Sequence, residues 1–131
     1  MREIKFRGRC VSTNEWFYGD LVQKHNGIYI TRKYADGYID LIKVDLESVG
    51  QYTGLKDKNG RKIYEGDIVM QLSERTYDSL TGVVKFIDGS YVIETADGKN
   101  GGYLFDELAF NVLIGNIYEN PELLEGIEYE K

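Results

Sequence analysis

The chain has 131 residues, 42% of them hydrophobic and 29% charged, with a net charge of −6. That length fits one domain or two very small units sharing a core, and the balance is that of a folded chain rather than a disordered one. No apolar run approaches the roughly 18 residues of a membrane helix, and no apolar stretch follows the basic start as in a secretory signal. A lone Cys10 cannot form an internal disulfide, so the expected setting is a reducing cytoplasm.

The charge is uneven. Residues 119–131 carry five Glu against Lys131, net −4, whereas Arg2, Lys5, Arg7 and Arg9 outweigh Glu3 in the first nine residues by +3. An acidic total opposes non-specific nucleic-acid binding, which rests on neutralising phosphates, but it leaves room for a local basic strip.

In chain order, Ile4, Phe6 and Cys10 alternate with Glu3, Lys5, Arg7 and Arg9. This predicts an early strand with its basic residues on one solvent-facing side. Residues 16–23 read as a strand leading into Asn26-Gly27. Residues 28–33 follow, and Asp36-Gly37 precedes a further run at 38–44. Asn-Gly and Asp-Gly suit two-residue hairpin turns because both central positions need positive φ. Residues 51–66, following Gly50 and carrying Gly54 and the Asn59-Gly60 turn, read as a connecting elbow. Beyond it, Ile68, Met70 and Leu72 share one strand face and Val69, Gln71 and Ser73 the other.

Residues 73–82 read as a polar loop. Residues 83–87 and 91–95 flank the turn Asp88-Gly89, and Asp97-Gly98 and Asn100-Gly101 mark further turns. A helical turn is expected at 106–109. Near the end Asn120 can cap a short helix that opens on Pro121 and Glu122 and stops at Gly126. The fold class is therefore all-β, with two small units and a short C-terminal helix. Residues 1–50 form a hairpin meander, 51–66 the elbow, 67–118 an SH3-like or half-open barrel, and 119–131 the helix and acidic tail.

One long segment is more specific than this pattern. Val49-Gly50-Gln51-Tyr52-Thr53-Gly54-Leu55-Lys56-Asp57-Lys58-Asn59-Gly60, followed by Ile63-Tyr64-Glu65-Gly66-Asp67-Ile68-Val69, closely resembles the signature of the YopX family of phage and prophage proteins. The start at residues 1–7 and the end at 114–124 are similar to that family too. The resemblance implies an all-β protein carried on mobile elements of bacteria and their phages. The family has no assigned activity, so it supplies no catalytic or binding residues.

The residues themselves offer little catalysis. One His and one Cys cannot make a structural zinc site. Asp57-Lys58-Asn59-Gly60 begins like a calcium loop, but the glycine comes too early and no Glu closes the loop at its twelfth position. Cys10 on an apolar face and His25 beside a turn tip make a poor nucleophilic pair. Gly101-Gly102 lacks the Lys-Ser/Thr of a phosphate loop, and no spacing singles out two of the 22 acidic residues.

The expected function is a non-enzymatic protein-interaction module of a phage or prophage, acting without cofactor or metal in the bacterial cytoplasm. Its partner is a host or phage protein, reached through a β edge or an exposed aromatic patch, with a homo-oligomer as another arrangement. The alternative is a module for single-stranded nucleic acid or RNA, with Lys5, Arg7 and Arg9 on phosphates and Tyr side chains stacking bases. Tyr29, Tyr38, Tyr52, Tyr64, Tyr91 and Tyr103 are expected instead in the core or between subdomains.

Overall fold

A computed structural model describes residues 3–76, 78–98 and 101–124. The chain divides into two compact units, Met1–Gly54 and Leu55–Lys131, so the boundary falls inside the elbow. Both are built from antiparallel strands. Among the described residues there is no helix long and apolar enough to cross a membrane.

The first unit contains β1 (Phe6–Arg9), β2 (Trp16–Gly19), β3 (Leu21–Lys24), β4 (Gly27–Lys33), β5 (Ile39–Val44), a 3₁₀ turn at Leu46–Ser48 and the start of β6 (Gly50–Lys56). β1 lies between β2 and β6, and β3, β4 and β5 form a second sheet with β4 in the middle. The run expected at 16–23 breaks at Asp20, where the chain passes from one sheet to the other. Asp20 N–H donates to the Thr31 hydroxyl at 3.0 Å, and Thr31 N–H donates back to the Asp20 carbonyl at 3.0 Å. Gly19 permits this corner, since a Cβ there would lie 2.4 Å from the Thr31 carbonyl oxygen. At the opposite end Cys10 bridges Val44. Between these ties Ile28, Ile30 and Val44 form the core, with Phe6, Phe17, Leu21 and Val49 packed on them.

One turn expectation changes. The two-residue loop after β3 is His25-Asn26, because Lys24 already faces Gly27. The Tyr29 hydroxyl donates to Asn26 Oδ1 at 3.1 Å and steadies that loop. Asp88-Gly89 does form the expected turn: φ is 51° and 84°, both positive, and Ile87 faces Ser90. Of the Asn100-Gly101 pair, Asn100 lies outside the described residues.

In the second unit β6 ends and a turn at 57–61 returns the chain as β7 (Lys62–Tyr64). There follow β8 (Asp67–Ser73), β9 (Ser79–Ile87), β10 (Ser90–Glu94), β11 (Gly101–Tyr103) and β12 (Ala109–Asn116). The last five make an open sheet in the order β11-β10-β9-β8-β12, not a closed barrel. Its core is Ile63, Val69, Val84, Ile93 and Leu104, flanked by Leu55, Leu80, Tyr91 and Leu113. Val69, not Ile68, therefore belongs to this cluster, although both are fully buried. Gln71 shares the face of Val69 and is buried too. Its amide nitrogen donates to the carbonyls of Tyr103 and Leu104 and to Asn111 Oδ1, which holds the chain leaving β11 against β8.

Of the polar loop expected at 73–82, residues 74–76 form a turn, while Ser73 and residues 79–82 belong to the strands β8 and β9. Leu72 faces Ser79 and Met70 faces Thr81, so the polar residues merely occupy the less buried end of a hairpin. Residues 106–109 form a turn instead of a helix. Asp106 Oδ1 accepts from Leu108 N–H at 2.9 Å, and Ala109 already begins β12. The terminal helix is present at residues 122–124, and its expected stop, Gly126, lies outside the described residues. Asn120 begins it through its carbonyl, which accepts from Leu123 N–H, while its side chain turns back to Asn116 N–H.

Candidate functional site

The elbow carries Asp57, whose carboxylate is wholly buried. Oδ1 accepts from the N–H groups of Asn59 at 3.0 Å and Arg61 at 2.8 Å. Oδ2 accepts from Leu113 N–H at 3.0 Å and Arg61 Nε at 3.2 Å. Arg61 Nη2 then donates to the Leu113 carbonyl at 2.7 Å, and Lys58 N–H to the Asn111 carbonyl at 2.8 Å. One turn thus occupies both polar groups of Leu113 on the edge strand β12. Burial opposes the charge on Asp57, but the N–H groups of Leu113, Arg61 and Asn59 outweigh it and hold the carboxyl below its ordinary value of 3.8. Asp67, 2% exposed, repeats the device by accepting from Tyr64 N–H at 2.7 Å. Gly66 between them has φ +90°, and a Cβ there would meet the Tyr118 ring at 3.0 Å. These acids hold the backbone. Among the described residues no group of three or more His, Cys, Asp or Glu is placed to hold a metal.

The basic strip is rearranged. β1 is an interior strand, paired on both edges, and Arg7, expected in solvent, is only 5% exposed. Its guanidinium lies 4.9 Å from the centre of the Trp16 ring and that of Arg9 lies 5.4 Å from it. Trp16 faces Arg9 across the β1–β2 pair, which brings the two arginines to one indole. Lys5 parts from them and enters a hollow of about 410 Å³ with Ile4, Tyr18, Gly19, Asp20, Thr31, Arg32 and Lys33.

Around that hollow the first unit gathers cations and exposed aromatics that the sequence reading did not select. Arg32 lies 5.4 Å from the Phe17 ring centre and 5.1 Å from that of Tyr34, and its Nη2 reaches Asp40 Oδ2 at 3.2 Å. Tyr34 in turn lies 5.6 Å from Tyr38. Tyr18, Tyr34 and Tyr38 are 48%, 42% and 62% exposed. Of the tyrosines expected inside, Tyr52 and Tyr64 are buried, but Tyr38 and Tyr103 stand in solvent, at 62% and 67%. The one sequence signal for this cluster was Arg32-Lys33-Tyr34 meeting Tyr38 across the Asp36-Gly37 turn.

The thiol of Cys10 is shielded and contacts Ser12 Oγ at 3.3 Å. Hydrogen bonds from Ser12, then Thr13, lower its pKa to about 7. His25 sits exposed at the tip of the β3–β4 turn.

The profile of the family described as YopX protein matches residues 5–125. The chain belongs to the YopX family. The SPbeta prophage-derived uncharacterized protein YopX of Bacillus subtilis is 31% identical to it over 113 residues, covering 82% of this chain and 84% of that protein. The crystal structure of yopX from Bacillus subtilis superposes with a TM-score of 0.64 at 23% identity, covering 96% and 98% of the two chains. The structure of EF1440 from Enterococcus faecalis gives 0.50 at 22% identity, covering 95% and 99%. At those identities the two structures speak for the fold. The family segment at 49–69 is thus the stretch whose Asp57, Ile63, Tyr64 and Asp67 are all buried here.

Proposed function

We propose that this member of a prophage-derived family is a non-enzymatic module of the bacterial cytoplasm that binds a host or phage protein through the hollow of its first unit. The observation that carries the reading is the exposure of Tyr18, Tyr34 and Tyr38 around an arginine already held in place by Phe17, Tyr34 and Asp40. Tyr and Arg dominate interface hot spots because they bury large area with few rotamers and several donors. An arginine fixed beforehand also loses little side-chain entropy on binding. The test is capture from host lysate on the immobilised full chain, beside the double variant Tyr34→Ala/Tyr38→Ala. A partner retained by the parent and lost by the variant supports the reading; identical captures, or none, refute it.

Binding of single-stranded nucleic acid is a second reading, favoured by Lys5, Arg32 and Lys33 beside the exposed Tyr18. It weighs less, because Arg7 and Arg9 are engaged with Trp16 and the whole chain carries −6. Failure of any oligonucleotide to bind at low salt removes it.

A further inference from the structure

The geometry points to an acidic, extended segment of a partner protein as the occupant of the Lys5–Arg32–Lys33 hollow, an inference that rests on the interaction reading above. Three cationic side chains line that hollow against one carboxylate, Asp20. Lys5 arrives just ahead of β1, while Arg32 and Lys33 sit side by side at the end of β4. Asp40, the other nearby acid, is engaged with Arg32. Among the described residues the ammonium groups of Lys5 and Lys33 form no ion pair. A carboxylate entering here therefore gains charge-assisted bonds without first breaking an existing pair at either lysine.

The rim fixes the rest of the chemistry. Ile4 and Tyr18, 65% and 48% exposed, line the same hollow, so apolar side chains alternating with the acids gain cover. Alternation by two residues is the natural spacing of an extended strand. Charge distribution favours a peptide over a nucleic acid. Residues 1–54 hold eight Lys/Arg against seven Asp/Glu, whereas residues 55–131 hold eight against fifteen. A short acidic segment confined to the hollow senses its cations, whereas non-specific binding of a long phosphate backbone is opposed by the net charge of −6. A track for that backbone along β1 is also missing, with Arg7 buried.

The test is an amide NMR titration of the full chain with a short synthetic peptide alternating Glu and Leu. Parallel arms use the same peptide with Lys for Glu, and a single-stranded oligothymidylate of matching charge. The expected result is shifts concentrated at Lys5, Tyr18, Gly19, Asp20, Thr31, Arg32 and Lys33, for the acidic peptide alone. The binding should weaken with salt, and Lys5→Glu/Lys33→Glu should reduce affinity about tenfold or more. If that variant loses its native amide pattern, the milder Lys33→Gln, at an exposed position, should still lower affinity by about threefold.

No shift at millimolar peptide overturns the inference, as do shifts lying elsewhere or an equal response to the Lys peptide. Tighter binding of the oligonucleotide at the hollow overturns it in favour of nucleic acid. Should the acidic peptide fail while lysate capture still depends on Tyr34 and Tyr38, the interaction reading stands and only the acidic partner falls.

Discussion

Replacing Asp57 by Ala removes a carboxylate that four donors share. The Leu113 N–H is part-buried, and leaving such a donor without an acceptor costs about 1–3 kcal/mol. The N–H groups of Asn59 and Arg61 belong to exposed residues, where water replaces the acceptor and the loss is about 0.5 kcal/mol each. The Arg61 side chain is 52% exposed, so the ion pair itself contributes little.

The sum is about 3 kcal/mol, or roughly 9–15 °C in Tm for a chain of this length. Arg61→Ala, which leaves Asp57 its three backbone donors, should cost about 1 kcal/mol. The sole tryptophan, Trp16, lies in the first unit, so its fluorescence is the wrong probe. Hydrogen exchange at the Leu113, Val69 and Val84 amides in urea reports the second unit directly. A loss under 1 kcal/mol for Asp57→Ala, or equal losses for the two variants, would refute the assignment of Asp57 as the clamp on β12.

The same carboxylate predicts an acid dependence. Its pKa is lower in the fold than the ordinary 3.8, so its stabilisation is present above pH about 4 and disappears as pH falls through the depressed native value. Urea midpoints of the parent should fall over that acid range while those of Asp57→Ala change less; parallel curves would contradict this. Cys10, lowered to about 7 from 9.0, should show thiolate absorbance with a midpoint near neutrality, and Ser12→Ala should raise that midpoint. Because the folded value is the lower one, the thiolate adds stability as pH rises from about 7 to 9, an increment that Cys10→Ala should lack. Gly82→Ala should disrupt the second unit, since its Cβ would stand 2.3 Å from the Glu94 carbonyl oxygen. Gly37→Ala meets no atom within 4 Å and bears only its positive φ of 91°, about 1–2 kcal/mol. Thermal melts of the two variants separate the causes, and equal Tm losses would count against the close approach at Gly82.

Local chemistry was enough for the β class, the place of several turns and the special status of residues 49–69. Asp88-Gly89 spells its own hairpin because only such residues take two successive positive φ values cheaply. The elbow's glycines at 54, 60 and 66 all adopt φ near +90° for the same reason. What alternation along one strand cannot contain is the neighbour on each side. β1 was read as half-exposed because its pattern alternates, yet β2 and β6 flank it and Trp16 covers Arg7. Val69 and Ile68 lie on opposite faces and are both buried, which no period-two reading distinguishes from a half-buried strand.

Asp57 is the sharpest case. Its place in a turn is written in Asp-Lys-Asn-Gly, but its burial is set by Leu113, 56 residues away. The candidate hollow is similarly non-local. Lys5, Tyr18 and Arg32 come from three separate strand ends, and they meet only because the chain bends at Gly19 and Asp20 against Thr31. Sequence by itself determined the β class, the place of several turns and the family. Which charged and aromatic side chains remain in solvent was decided by strand order and by that corner, since burial is a property of pairs of distant segments and not of any one of them.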